Sequence, residues 1–129
     1  MMTTNNEYAA EISIGGEKYE LILTTKATKD IAKRYGGLEN LGEKLMKPEN
    51  FEMALDEIVW LITLLANQSI LIHNLKNKGK LKETLSEETV ELLTSPHDLA
   101  AYKNAITGAM VKGTARTVES EEPKNAAGV

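Results

Sequence analysis

The sequence predicts an α+β fold, mainly α, in which an N-terminal β-hairpin packs on a bundle of about five helices, one of them long, central and apolar. Three observations predict it: a glycine pair between two alternating segments, a nearly continuous apolar block over 58–75, and a series of helix-start signals after that block. The 129 residues have room for one domain. Hydrophobic residues make up 42% of the chain and aromatic residues only 5%, so the core must be aliphatic.

Residues 8–24 have the pattern of a β-hairpin. Gly15 and Gly16 tolerate the positive φ that both central positions of a type I′ turn require. With these glycines in the loop, Ile14 faces Glu17 and every second side chain falls on one apolar face. That face consists of Tyr8, Ala10, Ile12, Ile14, Tyr19, Leu21 and Leu23. An isolated hairpin is marginally stable at best, so we expect this face to lie on helices.

The next segments are predicted to be helical. A short helix is expected over 28–35, and a second short helix ends before Pro48. Asn50 can cap a long central helix that continues to about Leu75 and is roughly 40 Å long, at 1.5 Å per residue. A helix with so continuous an apolar sequence has no wet side, so it is buried on several faces or packs against another chain.

Two further helix starts follow a polar segment at 76–82. Ser86 is predicted to cap a helix that has two glutamates in its first turn, where acidic groups complement the helix dipole. Ser95 as the cap, Pro96 at the first helical position and an aspartate two residues later predict the last helix, which we expect to end near Gly113.

These elements predict a single domain over 8–113, made of the hairpin at 8–24 and the helices within 28–113. Residues 1–7 are expected to be a disordered N-terminus. From 114 to 129 there is almost nothing to bury, so this segment is expected to be a disordered tail.

The charge and cysteine content exclude several classes of function. Nineteen acidic residues against fifteen basic ones give a net charge of −4, which disfavours nucleic acid as a partner. The chain has no cysteine, so disulfides, thiolate metal sites and cysteine nucleophiles are excluded. Polar residues, including Asn67 and His73, break the apolar block before it reaches the roughly 20 residues of a membrane span. We therefore expect a soluble protein with no membrane partner.

No arrangement of residues predicts an active site. His73 and His97 are the only histidines, and neither lies in a metal-ligand pattern. Glu52 and Asp56 share a helix face and could hold a divalent cation or act as acid and base. The same pair also complements the dipole at the start of the central helix, and we prefer that interpretation. We expect no enzyme, no catalytic residue, no metal and no cofactor.

The order of several segments is more informative than any of them alone. The segments are ISIGGEKY at 12–19, KRYGGLENL at 33–41, LANQ at 65–68 and LSEETVELL at 85–93. This order resembles the tail assembly chaperones of long-tailed phages and prophages of Gram-positive bacteria. The resemblance covers about 11–118, most of the chain.

The resemblance implies a non-enzymatic role in viral tail assembly. Chaperones of this family coat the long helical tape measure protein and keep it soluble in the cytoplasm of the bacterial host until tail tube subunits polymerise around it. The tail tube protein is then a second candidate partner, and the chaperone is not expected in the mature virion. Many members exist in a short form and a longer frameshifted form, and this chain is similar to the short form.

A protein that holds an apolar helix needs an apolar groove of its own. Our hypothesis is that Trp60, Leu64 and Met110 lie near such a partner-binding surface, since methionine adapts to varied partners. Each of the three is also compatible with ordinary core packing. The apolar central helix is in addition compatible with self-association into a homo-oligomer.

Two other functions are compatible with the sequence. The first is a small structural tail or connector protein of a phage virion, which would persist in purified particles. The second is a regulatory binding protein of a mobile element, which the acidic charge and the lack of a basic recognition helix disfavour.

Overall fold

The computed structural model describes the backbone of residues 10–46 and 55–128 and the side chains of residues 10–44 and 55–112. Within these ranges the protein is mainly helical, with one two-stranded antiparallel hairpin, as predicted. The elements in order are β1 (Ala10–Ile14), β2 (Glu17–Leu21), α1 (Thr25–Tyr35), α2 (Leu38–Met46), α3 (Leu55–Lys76), α4 (Glu87–Leu93) and α5 (Pro96–Gly128).

The hairpin has the predicted register. Ile14 pairs with Glu17, and Gly15 and Gly16 have φ values of 59° and 87°, as a type I′ turn requires. The alternating face is directed into the core, where Ile14 is 1% exposed and Leu21 is fully buried. Tyr8, at the predicted end of this face, lies outside the described residues.

Hydrogen bonds fix both edges of the hairpin to helices. The Tyr102 hydroxyl of α5 donates to the carbonyl of Ser13 on β1. At the other edge the amide of Ile22 donates to the carbonyl of Leu65 in α3, at 3.2 Å. The marginal stability of a lone hairpin is thus offset by contacts with two helices.

Helix α1 begins at Thr25, three residues before the predicted start. The Thr24 side chain caps it by accepting a hydrogen bond from the amide of Ala27 at 3.0 Å. The helix ends at Tyr35 and is followed by Gly36, whose φ of 86° is the left-handed conformation common after a helix. Ala27 and Ile31 of this helix are buried, whereas Ala32 is exposed.

Helix α3 is the central element. Nine of its residues are buried, and they lie on several sides of the helix, as the apolar sequence predicts. They are Ile58, Val59, Leu61, Ile62, Thr63, Leu65, Ala66, Gln68 and Ile70. The helix ends at Lys76, one residue past the prediction, and its predicted cap Asn50 lies outside the described residues. By length and composition α3 is also apolar enough to cross a membrane, and half of its most apolar window is buried in the fold.

Two asparagines of α3 hold the chain that follows it. The Asn67 side chain donates to the carbonyl of Leu85 at 2.8 Å and accepts from the Leu85 amide at 2.7 Å. Asn74 makes the same two hydrogen bonds to Lys82, at 3.0 and 2.9 Å. The seven residues from Asn67 to Asn74 cover about 10.5 Å along the helix, and the three extended residues from Lys82 to Leu85 span about 10 Å. The two asparagines and their two partners therefore have matching spacings.

The two predicted caps in the second half of the chain are present. Ser86 accepts a hydrogen bond from the amide of Thr89 at 3.1 Å at the start of α4. Ser95 and Asp98 form a reciprocal capping box at the start of α5, with distances of 3.0 and 3.3 Å.

The described end of α5 differs from the prediction. The helix continues to Gly128, whereas the sequence predicts an end near Gly113 and a disordered tail from 114 onward. The predicted helix end rested on Gly113 and on the lack of apolar residues after it. A single interior glycine costs a helix only about 1 kcal/mol relative to alanine, so it does not by itself end one.

The asparagine pairs give the first testable prediction. We expect Asn67→Ala to lower the free energy of unfolding by about 1–3 kcal/mol, because it leaves both backbone groups of Leu85 without partners in a partly buried place. Asn74→Ala should cost less, since the Lys82 contact is exposed to water. Urea denaturation measures both, and exchange of the Leu85 amide reports the local effect. Equal costs for the two variants would contradict this account.

Candidate partner-binding cleft

Trp60 and Leu64 lie one turn apart on α3 and are both half-buried. They line an open cleft of about 560 Å³ between α1, α3 and the start of α4. The cleft is lined by Asp30, Lys33, Arg34, Trp60, Thr63, Leu64, Asn67 and Glu87. The structure thus brings together two of the three residues that the sequence analysis singled out.

The Trp60 ring contacts two residues at the end of α1. The guanidinium carbon of Arg34 lies 4.6 Å from the ring centroid, within the range of a cation–π contact. The Tyr35 ring meets Trp60 edge to face, with centroids 6.4 Å apart. These contacts hold the indole at the border of the cleft.

A polar cluster behind Tyr35 joins three helices. The Tyr35 hydroxyl donates to Glu57 of α3 at 2.9 Å, and the Lys44 ammonium of α2 lies 3.0 Å from the same carboxylate oxygen. Burial raises the pKa of Tyr35 well above its usual value of 10.0, and the hydrogen bond and negative charge of Glu57 raise it further. Arg34 opposes the shift in pKa without reversing it.

Met110 lies on α5, is half-buried and packs against the core. It is not among the residues that line the cleft around Trp60 and Leu64. Trp60 and Leu64 therefore line one cleft, and Met110 does not belong to it. Sequence periodicity could not show this, because the relation between α3 and α5 depends on how the helices pack.

The charged rim of the cleft was not predicted from the sequence. Lys33 and Arg34 stand in the last turn of α1, Asp30 lies one turn before them, and Glu87 begins α4. In the sequence, Lys33 and Arg34 stood out only as part of the KRYGGLENL segment. Their position before a glycine helix end is typical of cations that complement the dipole, a local signal that does not reveal the neighbouring tryptophan.

The other residues considered for chemistry have local structural contacts. His73 Nε2 lies 3.0 Å from the carbonyl of Lys80, and Asn77 lies 3.3 Å from His73 Nδ1. His97 is exposed in the first turn of α5. Asp56 is exposed, and its proposed partner Glu52 lies outside the described residues. Among the described side chains no group of three or more histidine, aspartate or glutamate residues could hold a metal ion.

No protein-family model, curated protein or solved structure matches this chain. A functional assignment therefore depends on the residues and on the geometry of the cleft.

The environment of Tyr35 predicts a pH dependence. The pKa of Tyr35 is raised in the folded state. The contribution of Tyr35 to the free energy of unfolding is therefore fully present below pH 10, its usual pKa, and is lost as the pH rises further. We expect Tyr35→Phe to lower the free energy of unfolding by about 1 kcal/mol at pH 8, because the hydrogen bond to Glu57 is missing. The variant should also lose less stability than the wild type between pH 8 and pH 11.

Urea denaturation at the two pH values measures this difference. Tyr19→Phe is the comparison, because burial and Glu17 also raise the pKa of Tyr19, but its hydroxyl makes an exposed contact of 3.4 Å with Glu17, so this substitution should change the pH dependence less. An equal fall in stability for wild type and Tyr35→Phe would contradict the expected role of Tyr35.

Proposed function

We propose that this protein is a non-enzymatic tail assembly chaperone of a long-tailed phage or prophage, which binds the tape measure protein and keeps it soluble during tail assembly. The order of sequence segments supports the family. The cleft at Trp60 and Leu64 supports the binding of an apolar helix, and this is the observation that carries the proposal.

The cleft has the features of a groove for an amphipathic helix. Its floor offers the half-buried side chains of Trp60 and Leu64, and its rim carries charges of both signs. An amphipathic helix places apolar side chains into such a groove every three or four residues, while its polar face stays in water. Tryptophan and arginine are the residue types that most often dominate binding energy, and here Arg34 stacks on Trp60.

Exposed leucines extend the apolar surface of α3 beyond the core. Leu71 is 37% exposed and Leu75 is 74% exposed, and they lie one turn apart. A single exposed leucine is ordinary, but two on one helix face give an apolar stripe. Such a stripe suits a protein that coats a long apolar partner.

Coexpression with the tape measure protein of the same phage or prophage tests the proposal. We expect the wild-type chain to keep the tape measure protein in the soluble fraction. The double variant Trp60→Ala/Leu64→Ala should bind it at least tenfold more weakly, because it removes both side chains of the cleft floor. Leu81→Ala is the control, since Leu81 is 68% exposed and does not line the cleft.

Circular dichroism establishes that each variant is folded, and Leu64→Lys replaces the double variant if that one does not fold. Unchanged solubility of the tape measure protein with a folded cleft variant would refute the role of the cleft. Recovery of the chain in stoichiometric amounts from purified particles would instead favour a structural tail protein.

A further inference from the structure

The outer edge of β2 carries backbone groups that, within the described residues, are only partly paired. A two-residue turn makes Ile14 and Glu17 a hydrogen-bonded pair, and the pattern alternates from there. The amides and carbonyls of Lys18, Glu20 and Ile22 must therefore point away from β1. The hydrogen bond from the Ile22 amide to Leu65 agrees with this orientation.

This edge is covered at one end only. Ile22 is bound to α3, but within the part of the chain that the structure describes no backbone hydrogen bond leaves Lys18 or Glu20. Natural proteins usually block a free edge, because it is a template for an added strand. Among the described residues, the segment 18–20 is therefore a short, open edge.

A cleft of about 750 Å³ lies beside this edge. It is also lined by Ser69, Ile70 and His73 of the second half of α3 and, as a further wall, by Lys82 and Glu83. The Asn74 side chain holds that wall in place through its two hydrogen bonds to Lys82. We call this cleft the β2 slot. It is preformed, with a strand edge on one side and a fixed loop on the other.

The β2 slot has an excess of negative charge. Four glutamates line it, at Glu11, Glu17, Glu20 and Glu83, against two lysines at Lys18 and Lys82, together with His73. Glu11 also stands directly opposite Glu20 across the hairpin. Like charges in that position destabilise a sheet, and a cationic side chain beside them would lessen the repulsion.

We propose that the β2 slot binds an extended, lysine- or arginine-rich segment of another protein, added to β2 as a third strand. Backbone hydrogen bonds to Lys18 and Glu20 hold the segment, and the surrounding carboxylates select its basic side chains. The β2 slot shares no lining residue with the cleft at Trp60 and Leu64. The inference therefore does not depend on the chaperone proposal.

A blocked heptapeptide of alternating lysine and threonine is a suitable probe. Titrated into the ¹⁵N-labelled chain, it should shift the amide resonances of Lys18 and Glu20 and slow their hydrogen exchange. Two control peptides separate the contributions. One has every backbone nitrogen methylated, so that it keeps the charge but cannot pair as a strand. The other alternates glutamate with threonine.

Charge reversal tests the selection of basic side chains. Glu20→Lys should weaken binding of the lysine peptide at least tenfold. Glu39→Lys, an exposed glutamate on α2 away from the slot, should leave binding unchanged. Both residues lie outside the core, so both variants should fold. Trp60→Ala should also retain peptide binding, which separates this test from that of the chaperone role.

Three results would overturn the inference. Equal binding of the methylated peptide would show adhesion by charge alone, without an added strand. Equal binding of the glutamate peptide would show that the carboxylates do not select basic side chains. Absence of any change at the Lys18 and Glu20 amides at millimolar lysine peptide would show that the slot does not take a strand.

Discussion

The burial of α3 on several sides is the constraint on which the rest of the structure depends. A helix with so many apolar residues cannot stand at a surface, so the other elements must enclose it. The hairpin, which is marginal alone, gains its stability from this contact, and α4 and α5 complete the enclosure. The enclosure is incomplete at Leu71 and Leu75 and also at Trp60 and Leu64, where the helix borders the cleft that we propose as a partner-binding site.

The polar residues that interrupt the apolar sequence of α3 attach the neighbouring segments to it. Gln68 accepts a hydrogen bond from Thr24, which also caps α1. Asn67 holds the chain at Leu85, just before α4, and Asn74 holds the wall of the β2 slot. The interruptions that argue against a membrane span in the sequence are thus used as attachment points, and both candidate binding surfaces border this one helix.

Local signals in the sequence predicted local structure. The glycine turn predicted the register of the hairpin, and Ser86 and Ser95 predicted their helix starts, because each signal acts within a few residues. The start of α1 was predicted three residues too late although Thr24 is a local cap, and the hydrogen bond from Thr24 to Gln68, 44 positions away, has no local signal. The cleft shows the same limit of local signals. Trp60 and Leu64 could be grouped from the sequence, because they lie one turn apart on one helix, whereas the charged rim of their cleft depends on how α1 and α4 pack.

The free energy of unfolding of Leu61→Ala tests the central role of α3 most directly. Leu61 is fully buried, whereas Leu92 is 77% exposed and serves as the matched control. Because a buried leucine loses both its transfer free energy and its packing, we expect Leu61→Ala to lower the stability by about 2–5 kcal/mol. Leu92→Ala should change it by less than about 0.5 kcal/mol. Equal and small effects of the two substitutions in urea denaturation would contradict the account.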